Sequence, residues 1–206
     1  VYYFDEDFNG QLVGLGHAGK MPKGFEIDPS PKIQVWKNAA VIENVNSEVI
    51  EESEGYTVKV YNPGQEGDTV EVVITWQLKN LLFLYDDIAE LNWQPLTDSS
   101  EPIEKFEFRV TGFNGAEKLF FHTGKLFTED KVEKIDGDYR VHLQNLPRQR
   151  GVELHAYWPR KDFGTALDQG LEGNRLAEFE QIEESITAKK AQSKALVTWI
   201  IPFLLS

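Results

Sequence analysis

A period of two in the placement of apolar residues is the strongest constraint on what this chain can fold into. Over residues 69–78, Val70, Val72, Ile74, Trp76 and Leu78 fall on one side of an extended chain. Glu71, Thr75 and Gln77 fall on the other, and only Val73 breaks the alternation. The same grammar recurs: Tyr56, Val58 and Val60 alternate with Thr57 and Lys59, Phe106, Phe108 and Val110 with Glu107 and Arg109, and Val152, Leu154, Ala156 and Trp158 close the series. Many short strands with one buried face, separated by turn-forming residues, predict antiparallel sheets packed as sandwiches.

Composition points to two turns. Residues 62–68, Asn-Pro-Gly-Gln-Glu-Gly-Asp, lie between strand-like runs and predict a hairpin with a long loop. Asp136-Gly137-Asp138, between residues 132–135 and 139–143, predicts a tight one. The denser stretch around Asp86, Asp87, Ile88, Ala89, Glu90 and Leu91 suits a short helix or an ordered loop. A polar run at Thr97, Asp98, Ser99, Ser100 and Glu101, bracketed by Pro95 and Pro102, marks a boundary. The expected architecture is therefore mainly β: two antiparallel β-sandwich-like units, residues 1–100 and 101–160, followed by a C-terminal α-helix within 161–206.

After Pro159 the period changes. Gly164, Gly170 and Gly173 loosen the chain, Asn174 offers an N-cap, and Leu176, Phe179, Ile182 and Ile186 form one helical stripe. Glu178, Glu180, Glu183 and Glu184 precede Lys189, Lys190 and Lys194, the order that suits the helix dipole. The apolar run from Leu196 to Ser206 then reads as the start of a membrane anchor, although its eleven residues fall short of the roughly 20 a spanning helix needs. A docked terminal helix is the alternative.

Charge and cysteine usage exclude several classes of function. The formal net charge is -13, from 34 acidic and 21 basic residues, which repels nucleic-acid backbones and anionic headgroups. With no cysteine, disulfides, zinc–thiolate sites and thiol nucleophiles are absent. Gly14-Leu15-Gly16-His17-Ala18-Gly19 matches a dinucleotide fingerprint as a string. The helix that such a site needs next is precluded by Pro22, Gly24, Pro29 and Pro31, so a glycine-rich loop is expected instead.

Asp86, Asp87 and Glu90, flanked by Tyr85 and Trp93, are the densest carboxylate group. On a helix they share one edge and suit a hard cation such as calcium, although the interleaved spacing of a calcium loop is missing. Without that spacing they are better suited to capping backbone amides than to holding a metal. His17, His122, His142 and His155 lack ligand spacing, and His142 and His155 fall on the polar phase of their strands, which predicts surface or half-buried rings. Trp76 and Trp158 are in phase with core positions. No catalytic residue and no cofactor is indicated, and the identity of any metal is open.

Three segments together resemble the extracellular N-terminal region of a bacterial predicted membrane protein family known as domain of unknown function 2207. They are Phe4-Asp5-Glu6-Asp7-Phe8-Asn9-Gly10, then Val73-Ile74-Thr75-Trp76-Gln77-Leu78 leading to Tyr85 through Trp93, and Val152-Glu153-Leu154-His155-Ala156-Tyr157-Trp158-Pro159. The resemblance implies an exported β-rich region ahead of membrane-spanning helices, on the extracellular face of the cell membrane. It carries over no activity. The expected function is a non-enzymatic module that contacts another envelope protein or a cell-envelope polymer, with no nucleic-acid partner. The alternative is a surface carbohydrate-active or calcium-dependent enzyme using Asp86, Asp87 and Glu90, with Trp93 beside them.

Overall fold

A computed structural model describes residues 1–16, 19–53, 55–96, 101–111, 115–123, 130–164 and 171–204, with residue 130 and the stretch from 193 onward as backbone only. The chain is mainly β, as its periodicity predicts, and divides into two compact units, Val1–Leu81 and Leu82–Ser206.

Among the described residues the first unit holds nine strands: β1 (Tyr2–Tyr3), β2 (Gln11–Gly16), β3 (Glu26–Ile27), β4 (Lys32–Lys37), β5 (Ala40–Val41), β6 (Asn46–Glu52), β7 (Gly55–Tyr61), β8 (Thr69–Thr75) and β9 (Leu78–Lys79). One sheet runs β1-β8-β4-β5 and another β2-β7-β6, with β3 and β9 paired separately. Val35 and Val70 from the first sheet meet Val58 and Val60 from the second in a shared core, to which Tyr2, Phe4, Phe8, Ile33 and Trp76 add partly buried surface. Along β8 the alternation is realised: Val70 is buried, Val72 and Ile74 are half-buried, and the out-of-phase Val73 is exposed.

The hairpin expected around residues 62–68 does not form. Strand β7 pairs with β2 and β6, whereas β8 pairs with β1 and β4. Turn-forming residues reverse the chain, but the partner of each strand is chosen by which face it buries. Here the loop carries the chain from one sheet to the other. Asp68 pins that crossing: its carboxylate accepts from the Gln65 amide at 2.9 Å and from Asn38 Nδ2 at 2.7 Å, and lies 3.0 Å from Lys37 Nζ. The glycine-rich string is strand β2 as far as Gly16; His17 and Ala18 lie outside the described residues.

The second unit holds β10 (Phe83–Leu84), β11 (Ile88–Leu96), β12 (Ile103–Val110), β13 (Lys118–His122), β14 (Asp130–Ile135), β15 (Asp138–Leu146) and β16 (Val152–Pro159), then a short 3-10 turn, Arg160–Phe163, and the helix α1 (Leu176–Leu204). The sheets are β10-β11-β16-β13 and β12-β15-β14. The predicted tight hairpin is present: Ile135 pairs with Asp138, and Asp136 and Gly137 both take positive φ, 50° and 87°, as a type I′ turn requires.

The unit boundary falls at Leu81, upstream of the polar run at 97–101, of which 97–100 lie outside the described residues. The reason is β11. Residues 88–91 are strand rather than the short helix or loop that their composition suits, and β11 pairs with β16 from Ile88↔Pro159 to Leu96↔Val152. Strand pairing across more than 50 residues of sequence thus joins this segment to the C-terminal unit.

Strand β16 is buried almost throughout, because its sheet is covered on both faces. Val152, Leu154, Ala156 and Trp158 lie on one face with Leu91, Trp93, Leu119 and Phe121, and the Trp93 ring meets Phe108 of the β12-β15-β14 sheet edge-on at 6.3 Å. On the other face, Ile88 and Tyr157 pack against Phe179 of α1, with Tyr85, Phe120 and Leu176 around them. Three layers, sheet, sheet and helix, are stacked on one another.

Candidate functional site

The face of the β10-β11-β16-β13 sheet beneath α1 carries the chemistry of the molecule. Period two places Ile88, Glu90 and Asn92 of β11 on this face, with His155 and Tyr157 of β16 and Phe120 and His122 of β13 beside them. From the helix, Leu176, Phe179, Glu183 and Lys190 recur at the spacing of one stripe. Phe179 is fully buried: its ring lies 3.9 Å from the His155 ring and 5.0 Å from Tyr157, centroid to centroid.

A buried ionic chain runs through this interface. Glu90 and Glu183 are each 2 % exposed and His155 is 4 % exposed, values at which a charge persists only with partners. His155 Nε2 lies 2.8 Å from Glu90 Oε1, and its Nδ1 is hydrogen-bonded to Glu183 Oε1. Arg175 donates from Nε to Glu90 Oε2 at 2.8 Å, ion-pairs with Glu178 and lies over the Tyr85 ring. On the far side, His122 Nε2 sits 3.2 Å from the same Glu183 Oε1, while Lys190 Nζ reaches His122 Nδ1 at 3.2 Å and the Phe121 carbonyl at 3.4 Å.

These contacts set the protonation states. Burial alone would push His155 down, but its bonds to Glu183 and Glu90 outweigh that and hold the ring above the ordinary imidazole value. Burial likewise raises the Glu183 carboxyl, and the two histidines overcome it and bring it down to about 2. For Glu90 burial again opposes, and His155 and Arg175 keep the carboxyl below its usual range.

The predicted carboxylate group is a real cluster that is committed to the start of α1. Asp86 Oδ2 accepts from the Gly173 amide at 2.8 Å. Asp87 accepts from the Arg175 amide at 2.8 Å and the Leu176 amide at 3.0 Å, and these bonds overcome burial to lower its pKa. The helix begins at Leu176, and its opening amide is capped by Asp87, an aspartate nearly ninety residues upstream. Glu90 points the opposite way from Ala89 and Leu91 and holds Arg175. Trp93 faces the second sheet, away from these three.

His155 is buried, not the surface or half-buried ring that its strand phase predicts. The alternation assigns its face correctly but cannot convey that this second face of the sheet is also covered. His142 does keep a half-exposed position, 3.1 Å from Glu107. Trp158 is buried and Trp76 half-buried, as their phase predicts.

Among the described residues, His122, His155 and Glu183 bring one ligand atom each to within 4.8 Å of one another. Beside them an open pocket of about 400 Å³ lies between β13 and α1, with Lys118, Phe120, Glu183 and Thr187 in its wall. Sequence reasoning does not find this set because its members come from three elements. The signal that could reveal it is register: His122 and His155 share a sheet face, and Glu183 falls seven residues after Leu176 in the buried stripe of α1.

Neither the curated proteins nor the solved structures contain a match to this chain. The family model for the N-terminal domain of the predicted membrane protein DUF2207 matches residues 1–158, all the strands of both units up to Trp158 and none of α1. The chain therefore belongs to the DUF2207 family of predicted membrane proteins, and residues 1–158 are its N-terminal domain.

Proposed function

We propose that this chain is an extracytoplasmic, membrane-tethered module that binds another envelope protein or a cell-envelope polymer without transforming it. The observation that carries this reading is the attachment of α1. Its first turns are fastened to the sheet by Asp87, Glu90, His155 and Glu183, and the same helix runs to Leu204 through the most apolar stretch of the sequence. A helix held this firmly at one end transmits position from a bilayer to a folded body. Family membership supports the membrane association. No helix among the described residues is by itself long and apolar enough to cross a membrane. The carboxylates that an enzyme reading relies on are occupied by backbone amides and by Arg175.

An acidic body with a net charge of -13 selects partners bearing basic surfaces and disfavours anionic polymers. The test uses the full-length membrane protein carrying a single cysteine, Val41→Cys, at a position 63 % exposed. The protein is expected to sediment with membranes and to react with a membrane-impermeant maleimide on intact cells. Reaction only after lysis would place the body in the cytoplasm and end the proposal. A photo-crosslinker at the same position is expected to give one discrete adduct that weakens as salt is raised.

A further inference from the structure

We infer that His122, His155 and Glu183 form a binding site for a divalent transition metal of the zinc type, which clasps α1 to the sheet. Two imidazoles and a carboxylate are a donor set suited to zinc and unsuited to calcium or magnesium, which take oxygen. The way the three meet is the first argument. Both ring nitrogens, His122 Nε2 and His155 Nδ1, converge on one carboxylate oxygen, Glu183 Oε1. The second oxygen, Oε2, is buried and has no hydrogen-bond partner among the described residues. One oxygen doubly engaged and its neighbour unserved is a poor way to satisfy a buried carboxylate. A cation between the rings and the carboxylate uses both nitrogens and gives Oε2 a role.

The surroundings supply the second argument. A metal-binding histidine characteristically donates its other ring N–H to a carboxylate, which fixes the tautomer and aims the lone pair. His155 has that partner in Glu90, 2.8 Å from Nε2, and Glu90 is itself held by Arg175 at 2.8 Å. The Phe179 ring, 3.9 Å from His155, keeps water from that side. The pocket that includes Glu183 in its wall gives an ion a way in. Lys190, close to His122 Nδ1, also has the Phe121 carbonyl within 3.4 Å and keeps that acceptor when Nδ1 carries the proton. The three ligands lie on β13, β16 and α1, so binding the ion fastens the helix to two strands at once. The inference concerns the chain alone and stands whether or not the body faces outward.

Zn²⁺ titrated calorimetrically into the chelator-treated 206-residue chain is expected to bind one ion per chain and to raise the melting temperature. Co²⁺ is expected to give the visible bands of a four-coordinate site. His122→Ala and Glu183→Gln should each abolish stoichiometric binding, and Glu90→Gln, which touches no ion, should weaken it by about 10–100-fold. His142→Ala, remote from the site, should leave binding unchanged. Circular dichroism of each variant separates loss of a ligand from loss of fold, and His122, the most exposed of the three, is the variant best placed to stay folded. Absence of binding by the unmodified chain overturns the site, as does binding that persists in folded His122→Ala.

Discussion

Asp87 organises backbone far from it in sequence, and Asp68 ties a nearby amide to side chains some 30 residues upstream. Asp87 serves the Leu176 amide that opens α1 and the Arg175 amide just ahead of it, so Asp87→Ala leaves both without this acceptor. The expected loss is about 0.5–2 kcal/mol, the range for a helix cap, with faster hydrogen exchange at Arg175 and Leu176. Unchanged exchange at those amides would remove Asp87 from this role. Asp68 is held down from 3.8 to about 2 by the Gln65 amide, then Asn38 and Lys37. Because its folded pKa is the lower one, its stabilisation is present above about pH 4 and disappears as pH falls through about 2. Asp68→Asn is therefore expected to be less stable than the native chain at about pH 6 and to converge with it near pH 2, as measured by denaturant midpoints. At this scale the sequence reveals that Asp86, Asp87 and Glu90 belong together. It does not reveal their purpose, because the amides and the guanidinium they hold lie about 85 residues away.

Among the elements, α1 is the one whose docking depends on a few side chains. Phe179 is fully buried among His155, Tyr157 and Phe120, and removing its ring opens a void that the ionic groups on either side cannot fill. Phe179→Ala should cost about 3–5 kcal/mol and detach the first turns of the helix. Thermal denaturation monitored at the helix circular-dichroism band would register this, and a loss below about 1 kcal/mol would contradict the packing described. The Asp136-Gly137 turn is readable because its chemistry is local: two positive φ angles need those residues. The loop at 62–68 misleads for the complementary reason. Asn, Pro and Gly tell the chain to reverse, yet only burial on both sandwich faces decides that β8 leaves β7 for β4. His155 escapes prediction in the same manner, since alternation reports one apolar face and is silent about a helix laid over the other.

For the whole molecule, the division at Leu81 makes a direct prediction. The fragment Val1–Leu81 contains every strand of its sheets and its own valine core, and it should fold alone with cooperative unfolding. A fragment ending at residue 100 should carry the β10–β11 pair with the other edge of β11 unpaired and aggregate, because β16, the partner of that edge, is missing. Equal solubility of the two fragments, judged by size-exclusion chromatography, would contradict this boundary. The mainly β class is legible from alternation alone, whereas the boundary is not, since pairing between residues 88–96 and 152–159 leaves no mark in the local composition.

The position of β16 has a consequence for biosynthesis. Among the described strands of its unit it is the last made, and it is an inner strand of its sheet, with β11 on one side and β13 on the other. Until residue 159 is made, β11 is paired only with β10, β13 has no partner among the described strands, and the sheet face that seats α1 is incomplete. The β12-β15-β14 sheet and the β10–β11 pair can form earlier, but the sheet beneath α1 closes only when this inner strand is inserted, just before the helix emerges.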